Sequence, residues 1–252
     1  MRRVKRSSHS QLEALKMTLR ILIAIPAHNE AATVASVVTA AGHHGHPVLV
    51  VDDGSTDGTG ERARVAGATV LTVETNQGVG AARRRAHRYA IENNFDVVVE
   101  CDADGQHPVD AIPRLIEELA LSGLDLVIGS RFLNGGSTSI TPTRRLAMRL
   151  LALSATRATG TRITDSSSGF RAVRRPLVDQ FAESMPDHFL GDTFEIVVAA
   201  GRAGYRVSEC PVQMTERAHG RPSASPLQSV GLTLRALANA VIFRRPRLPQ
   251  RA

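Results

Sequence analysis

Cysteine and lysine are scarce in this 252-residue sequence, and each scarcity excludes a class of protein. The two cysteines, Cys101 and Cys210, are too few for a disulfide framework, so we expect both to be small buried residues in a reducing compartment. The lysines, Lys5 and Lys16, both lie near the amino terminus. The rest of the chain therefore has no lysine for a Walker A phosphate loop or for a Schiff base.

Long hydrophobic runs are also missing. The basic start of the chain is followed by SSHSQLEALKMTLR, which lacks the apolar core of a secretory signal. The most apolar late stretch, 227–243, would be about 25 Å long as a helix, which is short for a membrane span. It also carries Arg235 near its middle. We therefore expect a cytoplasmic protein.

The net charge of +7 is concentrated at the two ends of the chain. Residues 1–20 contain six basic residues and one acidic residue, residues 244–252 contain four basic residues, and the remainder sums to −2. Basic ends beside a nearly neutral body favour contact with an anionic surface such as phospholipid headgroups over a nucleic-acid groove. We expect peripheral attachment to the inner face of a membrane and no nucleic-acid partner. Solvated tails without a function are the alternative.

Short β-branched runs alternate with helical patterns through the first half of the chain. The predicted strands are 21–26, 47–53, 68–74, 95–104 and 124–131. This alternation predicts a single α/β domain, Rossmann-like, with a mostly parallel sheet that carries helices on both faces and binds ligands at the carboxyl ends of its strands. The later predicted elements are helices near 146–159 and 189–203, short strands near 170–173 and 205–212, and a C-terminal amphipathic helix.

Polar residues follow the predicted strands at their carboxyl ends. Asp52 and Asp53 lie at the end of the second predicted strand, and Asp102 and Asp104 lie at the end of the fourth, with Gln106 close behind. Each could be structural when taken singly. Carboxylates one residue apart can nevertheless hold one hard cation, and Mg²⁺ usually binds one or two protein carboxylates together with substrate phosphates. The pattern predicts a cation site at Asp102 and Asp104, with a nucleotide diphosphate as ligand.

Seven segments occur in an order that is more specific than any one of them: IPAHNE, VVDDGSTDGT, NQGVGAARRRA, DADGQHP, LVIGSRFLNGG, DSSSGFRAVRR and CPVQMTERAHG. Together they resemble the family 2 glycosyltransferases, which have the GT-A fold, and among these the polyprenyl-phosphate sugar synthases of the dolichyl-phosphate mannosyltransferase kind. The resemblance implies a metal-dependent inverting transfer of a hexose, mannose or glucose. The implied donor is GDP-mannose or UDP-glucose, and the implied acceptor is a polyprenyl phosphate.

The resemblance also divides the chain into regions. Residues 1–19 would be a basic leader, residues 20–225 the glycosyltransferase domain, and residues 226–252 an apolar helix with a basic tail. Within the domain, residues 20–131 would bind the nucleotide sugar and residues 132–225 the acceptor.

Particular residues receive roles from the same resemblance. The implied contacts of the nucleotide sugar are Pro26, Ala27, Glu30, Asp53, Asp102, Ala103, Asp104, Gln106, Arg131, Asp165 and Arg171. The metal, Mg²⁺ or Mn²⁺, would be held by Asp102, Asp104 and Gln106. Arg131 would approach the phosphates, and Asp165 with Arg171 would shape the sugar pocket. The implied acceptor-phosphate residues are Arg217, Gly220 and Arg221. Here the chain departs from the family, because Pro222 and Ser223 replace a common Ser-Lys pair.

Two other functions stay open. A hydroxyl acceptor would need a base, and Asp192 and Glu195 in GDTFE are the candidates, which with Asp104 and Arg131 complete the predicted catalytic set. A non-catalytic sugar-nucleotide-binding or membrane-scaffold protein is the second alternative.

Two other groups of charged residues are expected to lie away from the site. The arginines at 83, 84, 85 and 88 are predicted to form a solvated helix face, from which one could reach a donor phosphate. The three histidines between 43 and 46 are predicted to lie at the opposite edge of the sheet.

Overall fold

The computed structural model describes residues 19–133, 142–184, 191–215 and 248–251, with only the backbone at a few helix ends. The strands are β1 Ile21–Ala27, β2 Val48–Asp53, β3 Thr69–Val73, β4 Val97–Glu100, β5 Leu126–Ser130, β6 Arg171–Arg174 and β7 Val207–Pro211. The helices are α1 Val34–Gly42, α2 Thr59–Val65, α3 Val79–Glu92, α4 Ile112–Leu121, α5 Pro142–Thr159, α6 Leu177–Ser184 and α7 Gly191–Arg202.

The described strands form one sheet in the order β3-β2-β1-β4-β6-β5-β7. Every neighbouring pair is parallel except the two that include β6, which runs antiparallel to both β4 and β5. The prediction of a mostly parallel sheet is confirmed. Because β6 runs the other way, the loop that enters it lies at the edge where the other strands end. Residues 164–170 are thereby brought to the predicted ligand-binding edge.

Alternate residues of the central strands pack on opposite faces of the sheet. In β1, Leu22 and Ala24 belong to one hydrophobic cluster, whereas Ile21, Ile23 and Ile25 belong to the other. The first cluster includes side chains of α3, α5, α6 and α7, and the second includes side chains of α1, α2 and α4. Both faces of the sheet are therefore covered by helices, as the sequence predicts.

Helix α5 packs closely on α7 in the first layer. Leu151 and Ala155 of α5 are buried in the core, and a Cβ atom at Gly201 of α7 would lie 2.7 Å from backbone atoms of Ala158. Real Cβ atoms do not approach that closely, so the contact depends on a glycine at this position. The packing fixes which face of α5 points inward and leaves the opposite face outward.

The last described residues dock on the fold itself. Leu248 is buried in the first cluster, the Arg251 amide donates to the Ala203 carbonyl at 2.8 Å, and the Arg251 side chain lies 3.2 Å from the Asp125 carboxylate. The expectation of a basic tail on an anionic surface is therefore wrong for Arg251, because a buried carboxylate of the same chain pairs with it. The predicted leader and the apolar segment 227–243 lie outside the described residues apart from Leu19.

Candidate active site

Asp53 is the last residue of β2 and lies at the edge of the sheet where the parallel strands end. Its two carboxylate oxygens accept the backbone N–H of Gln77 at 3.0 and 3.1 Å, and Oδ2 also accepts that of Gly78 at 2.7 Å. The side chain is buried. Asp53 therefore anchors the turn that begins α3, and its predicted contact with a base or ribose stays a prediction.

The loops after β1 and β2 are joined by side-chain hydrogen bonds. The Asn29 backbone N–H donates to Ser55 Oγ at 2.9 Å, and Asn29 Oδ1 accepts the Thr56 backbone N–H at 3.0 Å. The Glu30 backbone N–H donates to Thr59 Oγ1 at 2.9 Å. Asn29 adopts a positive φ of 54°, which its short polar side chain tolerates. Helix α1 begins only at Val34, after this turn.

The DADGQH segment forms a tight turn after β4. Asp104 Oδ1 accepts the backbone N–H of Gln106 at 3.0 Å, and Gly105 has a φ of +76°, which favours glycine. The turn is attached to the chain after β7, because Thr215 N donates to the Gln106 carbonyl at 3.1 Å. Asp102, Asp104 and Gln106 are all partly exposed at this edge.

Asp102 lies between two basic side chains. Its Oδ1 is 3.0 Å from Arg83 NH2, and its Oδ2 is 3.5 Å from His107 Nε2. Burial acts to raise the pKa of Asp102, but His107 and Arg83 outweigh it and hold the pKa below its usual value. Asp102 is therefore an ionised carboxylate at neutral pH.

His107 supports the same turn from beneath. Its Nδ1 accepts the Asp102 backbone N–H at 2.8 Å, and its ring packs against Phe170 with a centroid separation of 5.2 Å. Burial lowers the pKa of His107, and the Arg83 and Arg131 cations act in the same direction against the two aspartates. A neutral ring with its proton on Nε2 fits these contacts.

The donor set suits a hard divalent cation. Asp102 and Asp104 supply carboxylate oxygens and Gln106 an amide oxygen, which are the ligands that Mg²⁺ and Mn²⁺ prefer. No group of three His, Cys, Asp or Glu side chains suitable for a metal occurs in the described ranges. A cation at this edge would therefore take few protein carboxylates and complete its shell with water or ligand oxygens.

Arg131 is held in a fork with Asp165. Its Nε and NH2 donate to the two Asp165 oxygens at 2.7 and 2.8 Å, and NH2 also donates to Ser167 Oγ at 2.9 Å. The fork and its hydrogen bonds raise the pKa of Arg131, although burial acts in the opposite direction. Arg131 is therefore a permanently charged side chain in a fixed orientation at the sheet edge.

Glu209 of β7 holds the loop that carries Asp165. Its carboxylate accepts the backbone N–H groups of Thr164 and Asp165 at 2.8 and 2.6 Å, and the Thr164 hydroxyl at 2.7 Å. The sequence analysis did not single out Glu209. An acidic residue within the strand pattern VSECP is the signal that could have indicated it.

Arg171 and Arg83 lie inside the protein. Arg171 is fully buried and its Nε donates to Glu100 Oε2 at 2.6 Å, so the structure places it in an ion pair in the core, and its predicted part in shaping the sugar pocket stays a prediction. Arg83 is also buried, with its Nε 3.4 Å from the same Glu100 oxygen. The prediction of a solvated face is wrong for Arg83, because its side chain is buried and pairs with Glu100 and Asp102.

The other predicted site residues lie at the end of β1, within the turn after β4, on α7 or outside the described residues. Pro26 and Ala27 end β1 and are buried, as is Ala103 within the turn after β4. Glu195 is partly exposed on α7, and Asp192 lies at the start of that helix, where the structure describes the backbone alone. The predicted acceptor residues, Arg217, Gly220 and Arg221, lie outside the described residues.

The sheet and its polar edge define an α/β protein of the GT-A type. Two carboxylates, a fixed arginine and the ends of three parallel strands meet where ligands bind in such sheets. The profile of glycosyl transferase family 2 matches residues 22–181, and the chain belongs to this family. It is accordingly a glycosyltransferase.

The chain resembles characterised members of the family along most of its length. It is 34% identical over 218 residues to polyprenol monophosphomannose synthase of Mycolicibacterium smegmatis, covering 82% of this chain and 81% of the relative. It is 33% identical over 219 residues to undecaprenyl-phosphate mannosyltransferase of Micrococcus luteus, covering 82% of this chain and 88% of the relative.

The fold is shared with a solved sugar transferase. Glucosyl-3-phosphoglycerate synthase from Mycobacterium tuberculosis, in complex with Mn²⁺, UDP and phosphoglyceric acid, superimposes with a TM-score of 0.70 at 25% identity. The match covers 96% of this chain and 83% of that one. The expected GT-A fold is therefore confirmed, and a divalent metal is present in a protein of the same fold.

Proposed function

We propose that this glycosyltransferase moves a hexose from a nucleotide diphosphate sugar to a polyprenyl phosphate. The observation that carries the proposal is that the acidic DADGQ turn and the fixed Arg131 lie at the same edge of the sheet, in a chain similar over four-fifths of its length to two polyprenyl-phosphate mannose transferases. GDP-mannose and UDP-glucose are the candidate donors. The mannose-transferring relatives favour the first, and the UDP-bound structure favours the second.

The chemistry requires a site that accepts a departing diphosphate. In an inverting transfer, an acceptor oxygen forms a bond to the anomeric carbon while the bond from that carbon to the diphosphate oxygen breaks. Negative charge then grows on the leaving group, and fixed positive groups stabilise it. Arg131 supplies such a group, because Asp165 holds its orientation. A divalent cation bound by Asp104 and Asp102 would neutralise the part of the negative charge on the leaving diphosphate that the side chains of the protein do not neutralise.

A phosphate acceptor removes the need for a base. The second pKa of a phosphate monoester is about 6, so the acceptor is mostly dianionic at pH 7 and its oxygen can attack without losing a proton. Asp192 and Glu195 are then dispensable for chemistry. Their substitution distinguishes this acceptor from a hydroxyl.

The exposed face of α5 supports contact with a membrane surface. Leu146, Leu150 and Leu153 of α5 are 60, 45 and 49% exposed, and they lie on the face opposite the core, with Arg149 and Arg157 exposed beside them. Apolar burial and attraction to anionic lipid add when such a face lies in a bilayer interface. No described helix is long and apolar enough to cross a membrane. We therefore propose peripheral attachment to the inner face of the membrane, where a lipid acceptor would be reached.

The test is a product assay by mass spectrometry. Purified protein is incubated with Mg²⁺ or Mn²⁺ and a short-chain polyprenyl phosphate, against a panel of GDP- and UDP-sugars. We expect one donor to give a glycosylated lipid phosphate. Donor hydrolysis without a lipid product would contradict the proposed acceptor and keep the donor site.

Asp104→Ala is expected to abolish measurable turnover in that assay, because it removes one of the two carboxylates of the proposed cation site. Asp110→Ala is the matched control, since Asp110 is exposed just beyond the same turn and should leave turnover unchanged. Full activity of Asp104→Ala, or of the wild-type protein in excess EDTA, would contradict the metal assignment.

A hydroxyl acceptor is the second candidate. It is favoured by the solved neighbour, which was crystallised with phosphoglyceric acid and whose name is that of a glucosyl-3-phosphoglycerate synthase. Asp192→Asn and Glu195→Gln separate the two cases. Loss of turnover by at least about a hundredfold in either variant would favour a hydroxyl acceptor, because general-base catalysis contributes that much.

A further inference from the structure

A group of buried charges lies directly beneath the DADGQ turn. Glu100, the last residue of β4, is buried and accepts from Arg171 Nε at 2.6 Å. His87 Nε2 donates to its other oxygen at 2.8 Å, and Arg83 Nε lies 3.4 Å away. Buried carboxylates are costly unless paired, and this one has three basic partners. Glu100 is therefore a fixed point within the core.

Arg83 connects that fixed point to the site. Its Nε faces Glu100, and its NH2 lies 3.0 Å from Asp102 Oδ1. Arg83 is only 4% exposed, whereas the Asp102 side chain is 34% exposed at the polar edge. The guanidinium thus spans two carboxylates, one in the core and one at the surface. A planar fork can do this, and a single ammonium group cannot reach both with the same geometry.

Gly169 leaves room for this bridge. A Cβ atom at position 169 would clash with Arg83 NH2 and would lie 3.2 Å from Asp102 Oδ2. The backbone of the loop entering β6 therefore covers the Arg83–Asp102 pair without a side chain. The glycine has no positive φ that would explain it, so the close approach is the reason that the structure gives.

We propose that Arg83 is a positioning residue, anchored on Glu100, that fixes the Asp102 carboxylate in the orientation the donor site uses, and that Gly169 keeps this contact possible. The proposal rests on the donor site proposed above. Arg83 occupies one oxygen of Asp102, and the other oxygen lies 3.5 Å from His107 Nε2. The carboxylate is thereby held in one rotamer before any ligand arrives, which lowers the entropic cost of binding.

The test measures binding rather than turnover. The Mn²⁺ dissociation constant is determined by electron paramagnetic resonance of free Mn²⁺, with GDP or UDP present, for the wild-type protein, Arg83→Lys, Gly169→Ala, Asp102→Asn and Arg83→Lys/Asp102→Asn. Lysine keeps the charge and removes the fork, and alanine keeps every charge and displaces the fork. Arg88→Gln is the matched control, because Arg88 is exposed on the same helix. Circular dichroism checks that each variant is folded.

We expect Arg83→Lys and Gly169→Ala each to weaken Mn²⁺ binding about tenfold, as loss of a partner that orients a ligating carboxylate does. Arg88→Gln should stay within twofold of wild type. In the Asp102→Asn background, Arg83→Lys should have no further effect, because residues that act through one contact are not additive.

Two results would overturn the proposal while leaving the proposed function in place. One is wild-type Mn²⁺ affinity in folded Arg83→Lys and folded Gly169→Ala. The other is that Arg83→Lys weakens Mn²⁺ binding equally in the wild-type and the Asp102→Asn backgrounds. Failure of the wild-type protein to bind Mn²⁺ with either nucleotide would instead overturn the metal-dependent donor site, and the positioning role with it.

Discussion

Glu100 is the residue on which the core and the site both depend. Burial acts to raise the pKa of this carboxyl, but Arg171, His87 and Arg83 outweigh it and hold the pKa far below its usual value. The ionised carboxylate in turn compensates two buried arginines. Removing it would leave those cations without their common partner.

Glu100→Gln is expected to lower the free energy of unfolding at pH 7 by about 3–5 kcal/mol, the usual cost of breaking a buried ion pair from one side. Urea denaturation checks this value. A carboxyl whose pKa is depressed in the folded state contributes stability above its unfolded pKa of about 4.3 and loses it as the pH falls further. The difference between wild type and variant should therefore be constant from pH 7 to about pH 5 and shrink in more acidic solution.

The matched control for Glu100→Gln is Glu92→Gln, because Glu92 is exposed at the end of α3. Its stability should stay within about 0.5 kcal/mol of wild type. Equal stability of the two variants, or a difference that does not change with pH, would contradict the charged cluster.

At this scale, the sequence predicts side chains at strand ends better than side chains on helices. Asp102, Asp104 and Gln106 could be found because they follow a hydrophobic run in a recognisable order. Arg83 could not, because a helical pattern treats every arginine as polar, and its burial depends on Glu100, which belongs to a different element, β4. The acidic residue that ends VVVE is the local signal that a buried cation is required.

Helix α5 shows how one element can serve two surfaces. Leu151 and Ala155 face α7 in the core, while the leucines at 146, 150 and 153 face outward. The sequence predicted this helix within a few residues of its bounds, but not its outward leucines, because apolar residues on both faces do not indicate which face is buried. Packing through Gly201 settles the orientation.

Replacing Leu146, Leu150 and Leu153 together by Gln is expected to weaken binding to vesicles of phosphatidylglycerol and phosphatidylcholine at least tenfold. Each buried leucine contributes about 1.5–3 kcal/mol when fully removed from water, so even shallow insertion of three side chains reaches that effect. Co-sedimentation at varied lipid concentration measures the partition coefficient. Wild-type binding should also fall in phosphatidylcholine alone, since the neighbouring arginines lose their anionic partners.

A control for that triple variant comes from the other face of the sheet. Val65 and Leu121 are 80 and 54% exposed on α2 and α4, so Val65→Gln/Leu121→Gln reduces exposed apolar surface without touching α5. It should bind vesicles as wild type does. If both variants bind equally well, α5 does not contact the membrane.

Strand direction was the least predictable property of the sheet. The strand near 170–173 was expected from its sequence, but its antiparallel direction follows from a crossover between β5 and β6 that no local pattern encodes. The consequence is functional, because only this direction brings Asp165 and Gly169 to the edge that holds Asp102. Helix α6, which covers the sheet beside β6, was not predicted.

In the molecule as a whole, two segments after β7 are attached to opposite edges of the sheet. Thr215 attaches the chain after β7 to the polar edge through Gln106, whereas Leu248 and Arg251 attach the chain end to the opposite edge near Asp125 and Ala203. The sequence suggested that basic residues at the end would face lipid. It could not show that Asp125, buried at the start of β5, would pair with one of them.

The docking of residues 248–251 on the core leads to a prediction about stability. Leu248→Ala should lower the free energy of unfolding by about 2–3 kcal/mol, because a buried leucine is replaced by a partial cavity in the first cluster. Leu121→Ala is the control, since Leu121 is 54% exposed and its truncation should cost less than about 0.5 kcal/mol. Vesicle binding of Leu248→Ala should match wild type while it remains folded, because the docked end faces the core. Equal stability of the two variants, together with weaker vesicle binding of Leu248→Ala, would contradict the docking of residues 248–251 on the core. It would instead support contact of this segment with the membrane, as the charge pattern alone suggests.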